Sequence, residues 1–273
     1  MHRVQAGDAR VPALGLGTYG LNGRTATEMV REALAAGYRH VDTARMYGNE
    51  AEVGRGIAES AVPRADLFVT TKIWPDDFRA DALTAAAQDS VRRLGTEPDL
   101  LLLHWPAPDM DLEETMGALN AARTSGLAAH IGVSNFPTAL VARAADLADS
   151  PLAVDQVEYH PYLDQSVLLA ELRRRGMALT AYCPIAKGRV LDDPVLGDIA
   201  AAHGHTVAQV VLRWHVQQAG VIAIPRSSKA ERVRANLAIE DFALSEDEMA
   251  AIHGLARPDG RIIEPAGLAP AWD

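Results

Sequence analysis

Asp42, Tyr47, Lys72 and His104 are a carboxylate, a phenol, an amine and an imidazole, and each closes or closely follows a short apolar run. Tyr38–Asp42 (YRHVD) leads into Thr43–Glu50 (TARMYGNE), Leu67–Ile73 (LFVTTKI) carries the lysine near its end, and Leu100–His104 (LLLLH) ends in the histidine. Such runs read as strands. If those strands are parallel neighbours, their C-terminal ends converge on one face and the four groups meet there. A phenol titrates near 10 and is a poor acid at neutral pH. A nearby ammonium stabilises the phenolate and lowers that value. Lys72 is placed to do this for Tyr47, Asp42 to hold Lys72, and His104 to orient a carbonyl oxygen or relay a proton. The set suits proton donation to a carbonyl oxygen that is gaining negative charge. No side chain supplies hydride, so the electron pair must come from a cofactor. Taken singly, each residue also has a structural reading: Asp42 as a turn or helix cap, Tyr47 as a loop residue before Gly-Asn, His104 as a packed histidine. Their shared position at strand ends carries the argument.

The positioning elements follow from alternation. Short β-branched or leucine-rich runs alternate with alanine-rich helical segments, the signature of βα units and a parallel sheet. Eight strands are predicted: Leu14–Gly17, Arg39–Asp42, Leu67–Ile73, Leu100–His104, His130–Ser134, Val154–Glu158, Ala178–Tyr182 and Val221–Ile224. Helical periodicity marks Thr25–Ala36, Ala80–Leu94, Leu112–Ser125, Pro137–Leu147 and Gln165–Arg175, several ending at a glycine (Gly37, Gly95, Gly126, Gly176). Two helical segments, Pro194–His203 and Val207–Gln218, fall between the seventh and eighth strands. Lys229–Leu237 and Ser245–Leu255 follow the eighth, then an irregular tail, Ala256–Asp273. Gly7-Asp8 within Arg3–Pro12 is a hairpin signal, and a hairpin there would cover the N-terminal end of a barrel. No linker divides the 273 residues, so one domain is expected. Eight βα units favour a closed (β/α)8 TIM barrel, which needs about 250 residues, over an open doubly wound sheet. Gly15-Leu16-Gly17-Thr18-Tyr19-Gly20 also lacks the third glycine of the open-sheet dinucleotide fingerprint at the required spacing.

Composition narrows the function. A net charge of −10 argues against nucleic acid or an anionic membrane as a general partner. No stretch reads as a bilayer span, and Met1–Arg10 lacks a hydrophobic signal core. A lone cysteine, Cys183, excludes an internal disulfide and fits a reducing cytoplasm; it reads as a small buried residue, with a nucleophile as the other reading. HExxH and clustered Cys/His ligands are absent, so no metal is expected. A monomer is expected, because no surplus amphipathic helix asks for a partner.

Six segments, Asp42–Glu50 (DTARMYGNE), Thr70–Trp74 (TTKIW), Leu102–Pro106 (LLHWP), Ile131–Phe136 (IGVSNF), Gln156–Pro161 (QVEYHP) and Ile224–Ser227 (IPRS), resemble the aldo-keto reductases in order and across the chain. The resemblance implies a (β/α)8 barrel and reduction of aldehydes or ketones with NADPH. It also implies Tyr47 as general acid, Lys72 and Asp42 as its tuning pair, and His104 as a substrate contact. The short N-terminus, the compact loop Trp105–Asp111 and the ending Arg261–Asp273 (RIIEPAGLAPAWD) resemble the bacterial 2,5-diketo-D-gluconate reductases of B type and methylglyoxal reductases. Small, polar, activated carbonyls are the substrates this implies.

By the same resemblance, Ser134, Asn135 and Gln156 match residues that hold the nicotinamide carboxamide, a group needing both donors and acceptors. Tyr182 matches the ring that stacks on the nicotinamide. Cys183, Pro184, Ile185 and Ala186 open the loop that wraps the pyrophosphate, with Cys183 replacing the usual serine and removing one strong donor. Gly17, Thr18 and Asp42 border the cofactor from the first two strands, and Ile224 and Pro225 from the eighth. Pro225–Leu237 (PRSSKAERVRANL) holds four cationic residues and opens a helix, where backbone N–H groups favour anions. Arg226, Ser227, Ser228 and Arg232 match the grip on the adenosine 2′-phosphate, and Asn236 an adenine contact. Ala235 stands where many relatives have glutamate. Tyr19, Trp74 and Trp105, with Tyr47 and His104, are expected to line the substrate pocket, and Trp272 to reach over from the tail. A broad aldehyde reductase and a cofactor-binding regulatory or structural protein are the alternative readings.

Overall fold

The computed structural model describes all 273 residues. The Gly7-Asp8 turn folds β1 (Arg3–Ala6) antiparallel onto β2 (Ala9–Pro12). Eight parallel strands follow in chain order: β3 (Leu16–Gly17), β4 (His40–Asp42), β5 (Phe68–Ile73), β6 (Leu100–Leu103), β7 (His130–Ser134), β8 (Val154–Glu158), β9 (Ala178–Tyr182) and β10 (Val221–Ala223). The ends of this sheet meet. Leu14 bridges Ala223 in parallel, the Gly15 N–H donates to the Ala223 carbonyl at 2.9 Å, and the Ala223 N–H donates to Ala13 at 2.9 Å. The barrel is therefore closed, which leaves no sheet edge. The hairpin sits at its N-terminal end, where the Gly7 N–H donates to the carbonyl of Gly176, just before β9. The barrel strands are buried throughout except at His130, which opens β7, and Tyr182, which closes β9, as expected of parallel strands covered on both faces.

Ten helices surround the barrel: α1 (Gly23–Ala36), α2 (Glu50–Ala58), α3 (Ala80–Leu94), α4 (Leu112–Thr124), α5 (Thr138–Leu147), α6 (Ser166–Arg174), α7 (Pro194–His203), α8 (Val207–Gln217), α9 (Ala230–Leu237) and α10 (Glu246–His253). None is long and apolar enough to cross a membrane. The sequence reading anticipates nine of them and omits α2. Two glycines in EAEVGRGIA weaken its helical signal. Packing explains them: a Cβ on Gly54 would collide with the Leu94 carbonyl at the end of α3, and one on Gly56 would lie 2.8 Å from Val30 Cβ on α1. The tail after α10 carries no helix or strand, as expected.

Burial keeps some barrel histidines neutral. His40 in β4 and His215 in α8 are fully enclosed, and desolvation of their charged forms lowers both to about 4. An unfolded histidine binds its proton near 6.5, so between 6.5 and about 4 the unfolded chain holds more protons than the folded one. Stability is therefore lost as the pH is lowered through that window, by roughly 3 kcal/mol for each residue. Urea unfolding at pH 7 and pH 4.5 measures this. His40→Gln should flatten the slope, and an unchanged slope would contradict the assignment.

Candidate active site

The barrel brings the four predicted residues to the C-terminal ends of adjacent strands. Gly17 pairs with Asp42, Asp42 with Thr70, and Ile73 with Leu103, so β3 to β6 end on one face. The buried Lys72 ammonium donates to Asp42 Oδ1 at 2.6 Å, to the Thr43 carbonyl at 2.8 Å and to the Tyr47 hydroxyl at 3.3 Å. These three bonds use all its protons. The Tyr47 oxygen is thus an acceptor toward Lys72, and its own proton remains for a group in the cleft. The Tyr47 ring stands edge-on to Tyr19 and His104, with centroids 5.1 and 5.6 Å away. Trp74 meets His104 edge-on at 5.1 Å.

Tyr47 is not on a strand, and its placement needs explanation. It ends a single 3₁₀ turn, Arg45–Tyr47, which closes at Gly48 with φ +68°. That left-handed conformation favours glycine. Three neighbours that the sequence reading did not single out hold the turn. Arg45 pairs with Asp77 at 3.3 Å and with Asp89 on α3. Asn49, fully buried, accepts from Thr43 Oγ1 at 2.8 Å and donates to the carbonyls of Thr18 (2.9 Å) and Leu21 (2.7 Å). It welds the loop bearing Tyr19 to the loop bearing Tyr47. Glu50 accepts from Thr71 Oγ1 at 2.6 Å beside the lysine strand. The polar pair directly after Tyr47-Gly48 was the available signal.

Protonation follows from burial and differs from expectation in one respect. Desolvation, with the Asp42 carboxylate second, holds the Tyr47 phenol well above its usual value. The expected net lowering by Lys72 is not what the site shows; the phenol is a fully protonated acid. Desolvation lowers Lys72, opposed by Asp42 and Glu50. Desolvation and Lys72 together hold His104 well below the ordinary imidazole range, so its ring is neutral. Its Nδ1 is buried without a partner. A neutral imidazole with no protein partner can meet a carbonyl oxygen without adding positive charge.

Several of the residues expected to hold the cofactor are tied to the tetrad by hydrogen bonds. Asp42 Oδ2 accepts from Gln156 Nε2 at 2.7 Å, which ties the carboxamide group of residues to the tetrad. Ser134 Oγ donates to the Gln156 carbonyl at 2.7 Å. Asn135, at φ +63°, donates to the His104 carbonyl at 3.0 Å and accepts from the Tyr182 hydroxyl at 2.8 Å. Thr18 Oγ1 donates to the Asp42 carbonyl at 2.9 Å. A Cβ on Gly17 would lie 2.7 Å from the Ile224 carbonyl, and the Gly17 N–H donates to Pro225 at 3.0 Å, so these strand ends lie together. After Tyr182 the loop turns sharply: Cys183, Ala186 and Lys187 all take positive φ, and the Ala186 N–H donates to Cys183 at 2.8 Å. Pro184 and Ala186 are buried and Ile185 is half-buried. Burial pushes the Cys183 thiol up to about 11, which disfavours the thiolate a nucleophile needs. Arg226 clamps the Tyr19 and Gly20 carbonyls at 3.2 and 3.0 Å. Ser227 caps the approach to α9, while Ser228 and Arg232 are exposed and Asn236 is buried. The donor set fits a phosphorylated dinucleotide: amide donors and acceptors beside the tetrad, and arginines with serines at the start of α9.

The aldo/keto reductase family model matches residues 13–257. The chain is 41% identical over 267 residues to methylglyoxal reductase DkgB of Escherichia coli O157:H7, covering 96% of this chain and 99% of that one. The chain belongs to the aldo/keto reductase family. Among solved structures, it superposes on one named as a proposed 2,5-diketo-D-gluconic acid reductase B with a TM-score of 0.98 and 52% identity, covering 100% and 98% of the two chains. An aldo-keto reductase of Bombyx mori in complex with NADP superposes at 0.89 with 33% identity, covering 97% and 95%. The protein is an NADPH-dependent oxidoreductase of the aldo-keto reductase class, acting on small carbonyl compounds.

The tail of the reductase packs back onto the loop after β6. Trp272 meets Trp105 with centroids 6.1 Å apart, as the sequence reading anticipated. Two anchors hold the tail. Asp273 accepts from the Thr138 N–H at 2.9 Å and from its hydroxyl. Glu158, fully buried at the end of β8, accepts from the Ile262 and Ile263 N–H groups at 2.8 Å each and from His160 Nε2 at 2.8 Å. Glu158→Gln turns one acceptor oxygen into a donor facing an N–H. The tail should then loosen at Ile262–Ile263, with faster amide exchange there and a higher KM at little change in kcat. Unchanged exchange at those two amides would contradict the anchoring role.

Proposed function

We propose that this one-domain barrel reduces a small, polar, activated carbonyl of the methylglyoxal or 2,5-diketo-D-gluconate type, with Tyr47 as proton donor. The observation that carries this reading is the Lys72 ammonium, whose three protons are committed to Asp42, Thr43 and Tyr47. NADPH, when bound, supplies the hydride. Tyr47 gives its proton to the carbonyl oxygen as charge develops there. Lys72 offsets the negative charge then left on the phenol oxygen, and Asp42 keeps Lys72 charged and in place. His104, neutral, donates a hydrogen bond to the same carbonyl oxygen and fixes its direction. Tyr19, Trp74 and Trp105 wall the cleft and limit water. Ser134, Asn135 and Gln156 hold the carboxamide, and Tyr182 lies against the nicotinamide ring. Cys183–Ala186 border the pyrophosphate, with Gly17 and Thr18 across from them, beside Ile224 and Pro225. The names of the relatives DkgB and 2,5-diketo-D-gluconic acid reductase B support this substrate class.

Arg226, Ser227, Ser228 and Arg232 take the 2′-phosphate, and Asn236 the adenine. Arg232 is exposed, with no carboxylate paired to it, and is free to bind that phosphate. Arg232→Ala should raise the KM for NADPH about tenfold to a hundredfold, the worth of a charge-assisted bond, and leave the KM for NADH unchanged. Equal effects on both cofactors would refute this assignment.

A further inference from the structure

The loop between β3 and α1 carries Tyr19 beside Tyr47. Its residues Thr18–Leu21 form a single turn: the Leu21 N–H donates to the Thr18 carbonyl at 3.0 Å, and Gly20 takes φ +68°. Asn49 grips the carbonyls at the two ends, Thr18 and Leu21. The carbonyls of the two central residues have no partner within such a turn. One side chain takes both: Arg226 donates through Nε to Tyr19 at 3.2 Å and through Nη2 to Gly20 at 3.0 Å. Arg226 reaches them across the seam of the barrel, from the segment after β10. That segment is fixed where the Gly17 N–H donates to Pro225 at 3.0 Å. Every carbonyl of the turn is thus held by a side chain from a distant part of the chain. The clamp bears on the site because the Tyr19 ring is 62% exposed and meets Tyr47 edge-on at 5.1 Å. A ring so little enclosed takes its direction from its backbone. An arginine fork carries five N–H donors, and the loop uses one edge of it. Nη1 and the second Nη2 proton remain without a carboxylate partner, and that edge suits a phosphate.

We propose that Arg226 is a positioning residue for the carbonyl substrate as well as a cation for the cofactor: it fixes the Tyr19 wall of the cleft and couples that wall to the adenosine 2′-phosphate. The coupling rests on the carbonyl-reduction reading above. A phosphate on the free edge restrains the fork, the restrained fork restrains Tyr19, and by linkage each ligand favours the other's binding. Arg226→Met keeps an unbranched apolar stem and removes every donor. Arg226→Lys keeps a charge for the phosphate but loses the fork that spans two carbonyls. The test pairs amide hydrogen exchange of the full-length, cofactor-free protein with methylglyoxal kinetics at saturating NADPH and at saturating NADH. Both variants should speed exchange at Leu21, and raise the KM for methylglyoxal, by about tenfold, the worth of one bond from a charged donor. The rise in KM should appear with NADH, which has no 2′-phosphate, as well as with NADPH. In the wild type the KM for methylglyoxal should be lower with NADPH than with NADH, and that gap should close in Arg226→Met. A residue serving the phosphate alone would leave both Leu21 exchange and the NADH-supported KM at wild-type values in both variants. Either of those results overturns the proposal, as does a fall in kcat with the KM unmoved. Loss of the reduction reading looks different: the wild type reduces methylglyoxal with neither cofactor, while Leu21 still exchanges faster in both variants. The clamp then stands and the coupling falls with that reading.

Discussion

Tyr47→Phe is expected to lose about a hundredfold to ten-thousandfold in kcat, the usual worth of a positioned acid, while folding and NADPH affinity stay near wild type. The phenol makes one hydrogen bond inside the protein, as acceptor from Lys72 at 3.3 Å. Phenylalanine keeps the ring that packs against Tyr19 and His104. Lys72 loses its weakest partner and retains Asp42 and the Thr43 carbonyl. The change therefore removes a proton donor and little else. Stopped-flow turnover beside a fluorescence titration of NADPH separates the two effects. A variant that binds NADPH and turns over within threefold of wild type would remove Tyr47 from the chemistry.

Lys72→Met should damage both activity and stability. The ammonium and the Asp42 carboxylate are both fully buried and 2.6 Å apart. Removing one member of a buried pair leaves the other charge uncompensated, at a cost of about 3–5 kcal/mol. Asp42 would keep Gln156 Nε2 as a donor, which satisfies one oxygen but not the charge. The double variant Asp42→Asn with Lys72→Met should recover much of the stability and none of the activity, since no cation remains beside Tyr47. Urea denaturation and turnover on the four proteins of the cycle test this. The pair also governs alkaline behaviour. Burial holds Tyr47 far above and Lys72 below their ordinary values, so a loss of kcat/KM on raising the pH belongs to deprotonation of Lys72. Lys72→Met as stable as wild type, or as active, would refute the ion-pair account.

The barrel was legible because parallel strands buried on both faces appear as unbroken apolar runs, such as Leu100–Leu103, and the helices between them show a 3.6-residue period. The tetrad was legible because three of its members close strands or lie next to strand ends. Helix α2 was not, since Gly54 and Gly56 look like breakers until the backbones they admit are seen. The direction of the Tyr47 shift was not either. Sequence shows that an ammonium is near; desolvation, the larger effect, is a property of the folded site. Asn49 and Glu158 escaped notice because their partners lie far along the chain, Thr18 in one case and Ile262 in the other. Trp272 could be guessed from its type, but the Arg226 fork closed on the Tyr19 and Gly20 carbonyls could not.

The central claim is that a carbonyl carbon receives hydride from NADPH at this cluster. The most direct measurement uses NADPH deuterated at both C4 positions, with methylglyoxal and 2,5-diketo-D-gluconate in turn, and mass analysis of the alcohol formed. The account predicts one deuterium on the former carbonyl carbon for each NADPH consumed, with at least one of the two substrates. Cofactor oxidation without deuterium in the product, or no oxidation with either substrate, would contradict it.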